Sequence, residues 1–125
     1  MTMPTERMRA VRFGMEMLNE TASNAELPLE VRQRAKQVLQ RYPSPAELGV
    51  LLTREHATLP PEWAAALNDA RTFLVDLRRR PDSTEVMRWG VTVTLRHFPD
   101  AWEIEHVCRF ACLAEWIAPE SARHG

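Results

Sequence analysis

Apolar residues recur at helical spacing in three successive segments of the first half of the chain. A spacing of three or four residues places such side chains on one face of an α-helix. The pattern therefore predicts three amphipathic helices within residues 2–56. Their apolar stripes are Ala10, Val11, Gly14, Met17, Leu18 and Thr21; then Val31, Ala35, Val38, Leu39 and Tyr42; then Leu48, Leu51 and Leu52.

The same pattern returns 56 residues later without a gap. TLPPE at residues 58–62 aligns with TMPTE at residues 2–6, and all three apolar stripes coincide. The alignment predicts a single all-α domain, residues 1–125, of six helices. These form two tandem three-helix repeats, 2–56 and 58–118, related by a pseudo-twofold axis. We expect residues 119–125 to be a flexible tail.

The repeat decides an ambiguous segment, WGVTVTL at residues 89–95. Its alternation of apolar and polar residues is typical of a β-strand. Its aligned partner, QRAKQVL at residues 33–39, is a strong helix former. Since duplicated segments should share secondary structure, we predict a helix over residues 89–95.

Both repeats carry the same signals for the start of their third helix. Ser44 and Asp100 are good N-caps, and Glu47 and Glu103 follow three residues later. This spacing is typical of a capping box. In the first helix of each repeat, a small residue, Gly14 or Ala70, interrupts the stripe. We expect the two long helices to cross at these small residues.

The second repeat is richer in aromatic residues than the first. All four tryptophans lie there, and Val93 makes an apolar pair with Trp89 on a face that is polar in the first repeat. The last helix is predicted to continue as HVCRFACLAEWIA over residues 106–118. The additional rings either fill the seam between the repeats or form a surface for a protein partner or self-association. The residues of that surface would be Trp89, Val93, Trp102 and Trp116.

Charge is distributed unevenly although the net charge is only −1. Residues 1–54 contain eight basic and six acidic residues, and residues 55–125 contain eight and eleven. The basic residues of the first two helices either form a face that contacts phosphates or an acidic protein, or are solvated surface. That basic face would consist of Arg7, Arg9, Arg12, Arg32, Arg34, Lys36 and Arg41.

The motifs of common catalytic and cofactor sites do not occur in the sequence. It has no glycine-rich phosphate loop, nucleophile elbow, zinc-ribbon spacing or HExxH helix. The nearest approach to a metal site combines His106, Cys108 and Cys112 with His97. His106 projects from a different side of its helix, so buried cysteines are the favoured interpretation. We expect a protein that is not an enzyme and has no cofactor or metal.

The segments MPTERMRAV and LPLEVRQRAKQVLQRYPSPAEL resemble a family of short, helical bacterial proteins of uncharacterised function. The resemblance covers about the first 48 residues and recurs in weaker form in the second half. It implies a small cytoplasmic helical protein and supplies no activity. The second copy departs from the pattern, with Trp63 in place of Arg7 and Gly90 in place of Arg34.

Neither a secretory signal nor an apolar run of membrane-spanning length occurs in the sequence, so we expect a cytoplasmic protein that does not enter the membrane. The main hypothesis is a protein-interaction or self-associating protein. The alternative is a nucleic-acid-associated regulator that uses the arginine face of helices one and two. A third hypothesis is a metal or redox sensor that uses Cys108 and Cys112.

Overall fold

The fold is all-α over residues 2–120, which are the residues that a computed structural model of the chain describes. Within them the regular elements are seven α-helices, and no strand occurs there. The prediction of an all-α fold is confirmed. The helices are α1 (Pro4–Ser23), α2 (Leu29–Leu39), α3 (Pro45–Leu51), α4 (Pro61–Arg79), α5 (Glu85–His97), α6 (Ala101–Arg109) and α7 (Leu113–Trp116).

The ambiguous segment at residues 89–95 lies inside α5 and is helical, as predicted. Thr84 caps this helix, because its side-chain oxygen accepts a hydrogen bond of 3.1 Å from the Met87 amide. The buried face of α5 contains Val91 and Thr94 and packs against α1 and α4. This burial outweighs the weak helix propensity of the β-branched residues.

The helices pack around one hydrophobic core. The first helix, α1, packs against α2 and α5, and α4 packs against α5 and α2. The short helices α3 and α6 contact α1 and α4 respectively. Val11, Leu18, Leu74 and Ile104 are fully buried in this core.

The capping boxes of α3 and α6 are present as predicted. The Glu47 amide donates to Ser44 Oγ over 3.1 Å, and the Ser44 amide donates to the Glu47 carboxylate over 2.9 Å. The Asp100–Glu103 pair makes the same two bonds at 2.8 and 3.1 Å. Both helices therefore begin where local side-chain chemistry satisfies their first amide groups.

Gly14 makes room for two aromatic rings. A Cβ atom at this position would lie 2.6 Å from Tyr42 Oη and 2.9 Å from Phe98 Cε1. Helices α1 and α4 do contact each other, and their crossing at Gly14 and Ala70 stays a prediction. The space left by the missing side chain is filled by Tyr42 and Phe98, which follow α2 and α5.

The predicted sixth helix is broken, so the expectation of six helices is wrong. Helix α6 ends at Arg109, and Phe110 has an extended backbone. The chain then forms α7, which buries Leu113 and Trp116, and continues to the buried Ile117. The Ala118 amide donates to the Pro4 carbonyl over 3.2 Å. Because of the break, these apolar residues pack against α1. If α6 continued as a straight helix, they would remain on an exposed face.

The predicted tail lies mostly outside the described residues. Of its residues, the structure describes Pro119 and Glu120. The Glu120 carboxylate accepts bonds of 2.7 and 3.1 Å from Arg12 and one of 3.4 Å from Arg9. The beginning of this segment is therefore held against α1 by charge-assisted hydrogen bonds.

Candidate functional site

The four residues predicted to form one interaction surface occupy different environments. Trp89 on α5 and Trp102 on α6 are 64% and 71% exposed, and Val93 on α5 is half-buried. Trp116 is only 8% exposed. The prediction is therefore wrong for Trp116, which cannot meet a partner directly.

Trp116 fills the seam between the two ends of the chain. The Arg7 guanidinium lies 5.4 Å from the centre of its ring and donates a 2.9 Å bond to its main-chain carbonyl. Arg7 also pairs with the Glu103 carboxylate at 3.0 Å. For Trp116, the alternative in which an additional ring packs within the molecule is the one observed.

Trp89 and Val93 line a groove between α1 and α5. A cavity of about 220 Å³ is formed by these residues together with Phe13 and Met17 of α1. A second cavity of about 190 Å³ shares Phe13 and Val93 and extends toward His97. We refer to the two cavities together as the α1/α5 groove. Its centre is apolar, and an exposed tryptophan stands at one end.

A glycine contributes to the opening of this groove. Gly90 lies beside Trp89, and a Cβ atom there would be 2.9 Å from the sulfur of Met17. In the middle of a helix, glycine costs stability relative to alanine. Because Gly90 has no side chain, the Met17 side chain forms the floor of the groove at this position.

The Trp89 end of the groove is acidic, and the other end carries Arg9, Arg96 and His97 together with the acidic Glu6. The linings show that the C-terminal part of α1 faces the N-terminal part of α5, so the helices are antiparallel. Glu16 and Glu20 lie at the Trp89 end, and Arg9 and Arg96 lie at the other. Within residues 2–120, Glu20 and Arg96 make no ion pair.

The end of the groove beside Arg96 is closed by a polar cluster. His97 Nδ1 lies 3.0 Å from Thr2 Oγ1, and His97 Nε2 lies 3.6 Å from the Glu6 carboxylate. A hydrogen bond from the Met3 amide holds the pKa of Glu6 below its ordinary value. His97 therefore contributes to the attachment of the N-terminal segment.

A second groove lies between α2 and α4, and ion pairs bridge it. Arg34 pairs with Asp76 at 3.2 Å, and Arg41 pairs with Asp69 at 3.5 Å. The guanidinium of Arg34 also lies 5.2 Å from the ring centre of Phe73. In this groove, long basic side chains lie over the apolar floor and connect the two helices.

At the aligned positions, the α1/α5 groove has no arginine–carboxylate bridge, and the contact across it is that of His97 with Glu6. The 56-residue offset places Gly90 opposite Arg34 and Glu20 opposite Asp76 in the alignment. It likewise places His97 at the position of Arg41. The α2/α4 groove therefore has cavities of about 270 and 280 Å³ that two arginine–aspartate pairs cross, whereas the Trp89 end of the α1/α5 groove has no ion pair between the two helices.

The predicted basic face is largely neutralised by nearby carboxylates. Arg9 and Arg12 bond Glu120, and Arg7, Arg34 and Arg41 pair with other acidic residues. Hydrogen bonds with Glu120 and Glu16 raise the pKa of Arg12. The Nε of Arg32 donates to the Leu27 carbonyl, and Lys36 is exposed. The seven residues do not form one open basic face.

Three rings form a column on the exposed side of α6. The rings of Trp102 and His106 stack with centres 5.3 Å apart, and the Phe110 ring lies 5.0 Å from His106. Sequence reasoning identified Trp102 and missed the other two. The spacing of four residues between successive rings was the available signal.

The cysteines do not belong to a cluster of metal ligands. Cys108 is half-buried on α6, and Cys112 is half-buried at the start of α7. Among residues 2–120, no three His, Cys, Asp or Glu side chains are grouped closely enough to hold a metal ion.

Within residues 2–120, no helix has both the length and the apolar character needed to cross a membrane.

Sequence reasoning also missed Phe13, Met17, Gly90 and the two charged ends of the α1/α5 groove. The alignment of the two halves of the sequence contained a signal for part of it, because Gly90 aligns with Arg34. Comparison of the chain with models of protein families, with curated proteins and with solved structures finds no match.

Proposed function

We propose that the protein is a non-enzymatic protein-interaction protein and that the α1/α5 groove is its binding surface. The observation that carries the proposal is Trp89, which is exposed beside the cavity that Phe13, Met17 and Val93 line and that no ion pair between α1 and α5 crosses. Large aromatic residues at the edge of an apolar depression are typical anchors of protein interfaces. The location we propose is the cytoplasm.

The proposal includes a duplication of a three-helix unit, with the repeats related by a pseudo-twofold axis. Two arginines at aligned positions make equivalent hydrogen bonds, which supports the duplication. Arg32 donates to the carbonyl of Leu27, and Arg88 donates to the carbonyl of Ser83. Each residue of the second pair lies 56 positions after its counterpart in the first. The matching contacts of α1 and α4 with α2 and α5 also support it.

The duplication allows the two grooves to be compared. Immediately after a duplication, the two copies have the same residues in equivalent grooves, so later differences show how the copies diverged. The α2/α4 groove has ion pairs at Arg34 and Arg41, whereas the α1/α5 groove has a glycine and a histidine at the aligned positions. We infer that the second copy diverged toward binding, because its changes expose apolar surface that is costly to leave in water.

The test is site-specific photo-crosslinking in cells of the source organism. A photoreactive phenylalanine analogue replaces Val93 in the centre of the α1/α5 groove. The matched control places the same analogue at Gln37, the aligned position in the α2/α4 groove. We expect a protein adduct from position 93 and none from position 37, because only the first groove has an exposed tryptophan and no arginine–aspartate pairs across it.

A second pair of variants tests whether the adduct depends on the groove. Trp89→Ala should suppress the adduct from position 93, whereas Trp102→Ala, which removes an equally exposed ring from α6, should leave it. Equal adducts from both positions, or no protein adduct from position 93, would contradict the proposal.

A further inference from the structure

We propose that the occupant of the α1/α5 groove is the same face of a second copy of this chain, placed antiparallel across a twofold axis. The inference rests on the proposed function and names the partner. Its basis is the position of two charges without an ion-pair partner within residues 2–120, Glu20 and Arg96, which lie at opposite ends of the groove and come to the same end after such a rotation. Closed twofold dimers are the commonest assemblies of identical chains.

The charges at the two ends define the orientation. Glu20 and Arg96 are exposed, lie at opposite ends of the groove and have no ion-pair partner within residues 2–120. The twofold axis lies in the interface and runs across the groove, so the partner is turned end for end. The Glu20 end of each copy then lies over the Arg96 end of its partner. Each Glu20 then faces the partner's Arg96, which forms two equivalent ion pairs. A parallel arrangement would place like charges together.

The apolar residues complete the arrangement. Phe13 and Val93 belong to both cavities and therefore lie near the middle of the groove, where the axis would pass. Trp89 stands toward one end and, after rotation, lies over the cavity of about 190 Å³ at the partner's other end. The exposed ring thereby meets, twice in one interface, a cavity of mixed lining, in which Ala10, Phe13 and Val93 are apolar and Glu6, Arg9, Arg96 and His97 are polar.

The size of the face indicates a weak dimer. Helix α5 has 13 residues, which corresponds to a face about 20 Å long. A face of this length on two helices falls at the small end of specific interfaces, so we expect a dissociation constant on the order of micromolar or weaker. Part of the attraction is electrostatic, and added salt should weaken the dimer.

The experiment measures dimerisation of the full chain by sedimentation equilibrium from micromolar concentrations to about 1 mM. We expect a species of twice the chain mass of 14.4 kDa. Glu20→Arg and Arg96→Glu should each raise the dissociation constant about tenfold, because each places like charges together twice. An equimolar mixture of the two variants should regain the affinity, since every facing pair is then opposite in charge.

Two controls separate the groove from the rest of the surface. Glu62→Arg and Arg71→Glu make the same charge changes at exposed positions of α4 and should leave the dissociation constant unchanged. Trp89→Ala should raise it about 30-fold or more, and Trp102→Ala should not change it. Circular dichroism of each variant checks that the fold is retained.

The outcomes distinguish this inference from the proposed function. A monomer at all concentrations, together with a crosslink from position 93 to a different protein, overturns the twofold dimer and leaves the groove as a binding surface. A monomer without any crosslink overturns both. A dimer that is insensitive to the reversals, or that the mixture does not restore, overturns the antiparallel arrangement.

Discussion

The hydroxyl of Tyr42 donates a 2.6 Å hydrogen bond to the main-chain carbonyl of Val11, which connects the end of α2 to the middle of α1. Burial raises the pKa of Tyr42, so the hydroxyl keeps its proton at neutral pH. Gly14, one turn beyond Val11, provides the space for this ring and for that of Phe98. The two aromatic residues that end α2 and α5 therefore meet on one helix.

The pairing of Tyr42 with Gly14 can be measured with a double-mutant cycle. Tyr42→Phe should lower the free energy of unfolding by about 1 kcal/mol, because it removes one buried hydrogen bond. Gly14→Ala should cost about 1–3 kcal/mol, because its Cβ would contact the Tyr42 hydroxyl. The double variant should lose less than the sum, since the first change makes room for the second. Chemical denaturation measures all three, and strictly additive losses would contradict this account.

Gly90→Arg would reproduce the Arg34–Asp76 bridge in the α1/α5 groove, with Glu20 as the acceptor. We expect the free energy of unfolding to rise by about 0.5 kcal/mol, because arginine is a better helix former than glycine. Met17 must move aside, which its flexible side chain allows. The same variant should weaken any association through the groove.

Gly90→Ala is the matched control for the bridge. It should give a similar gain in helix stability without closing the groove. Thermal denaturation and sedimentation equilibrium, measured on both variants, separate the two effects. A loss of association in Gly90→Ala as large as that in Gly90→Arg would show that the ion pair has no part in it.

The two capping boxes should contribute equally to the stability of the fold. Ser44→Ala and Asp100→Ala should each lower the free energy of unfolding by about 1 kcal/mol, because the first amide groups of α3 and α6 lose a side-chain acceptor. Ser23→Ala, at an exposed position, should change it by less than about 0.5 kcal/mol. Urea denaturation measures the three variants, and losses no larger than that of the control would argue against the caps.

From the lowered pKa of the Glu120 carboxylate, we expect a specific loss of stability in acid. Hydrogen bonds from Arg12 hold its pKa below the ordinary value of 4.5. A lowered folded-state pKa adds stability that is present above pH 4.5 and is lost as the pH falls through the lower folded value. Melting temperatures measured across this range should fall more for the unchanged chain than for Glu120→Gln.

Glu115→Gln is the control for the acid prediction, because Glu115 is an exposed carboxylate close to the same end of the chain. Its melting temperature should follow that of the unchanged chain at every pH. If Glu120→Gln also followed that curve, the contact between Glu120 and α1 would make no contribution to stability.

Much of the fold could be predicted because it depends on local chemistry. Ser44 and Asp100 begin helices through side chains three residues away, so their positions are evident in the sequence. Residues 89–95 required the repeat, because their own propensity favours a strand. The break after Arg109 could not be predicted, since it depends on where Leu113 and Ile117 find buried space.

The candidate site was only partly predictable for a similar reason. The pairing of Trp89 with Val93 follows from their spacing on one helix. Phe13, Met17 and Arg96 join them only because α1 and α5 pack antiparallel. Spacing on one helix cannot show which neighbouring helix covers it.

Taken by itself, the sequence determined that the fold is all-α and where α3 and α6 begin, because stripes and caps act within a few residues. Tertiary packing decided which tryptophans are buried and which are exposed. Trp116 is buried beneath Arg7, whereas Trp89 and Trp102 remain exposed. Identical side chains reach opposite environments because burial depends on which distant residues occupy the neighbouring space.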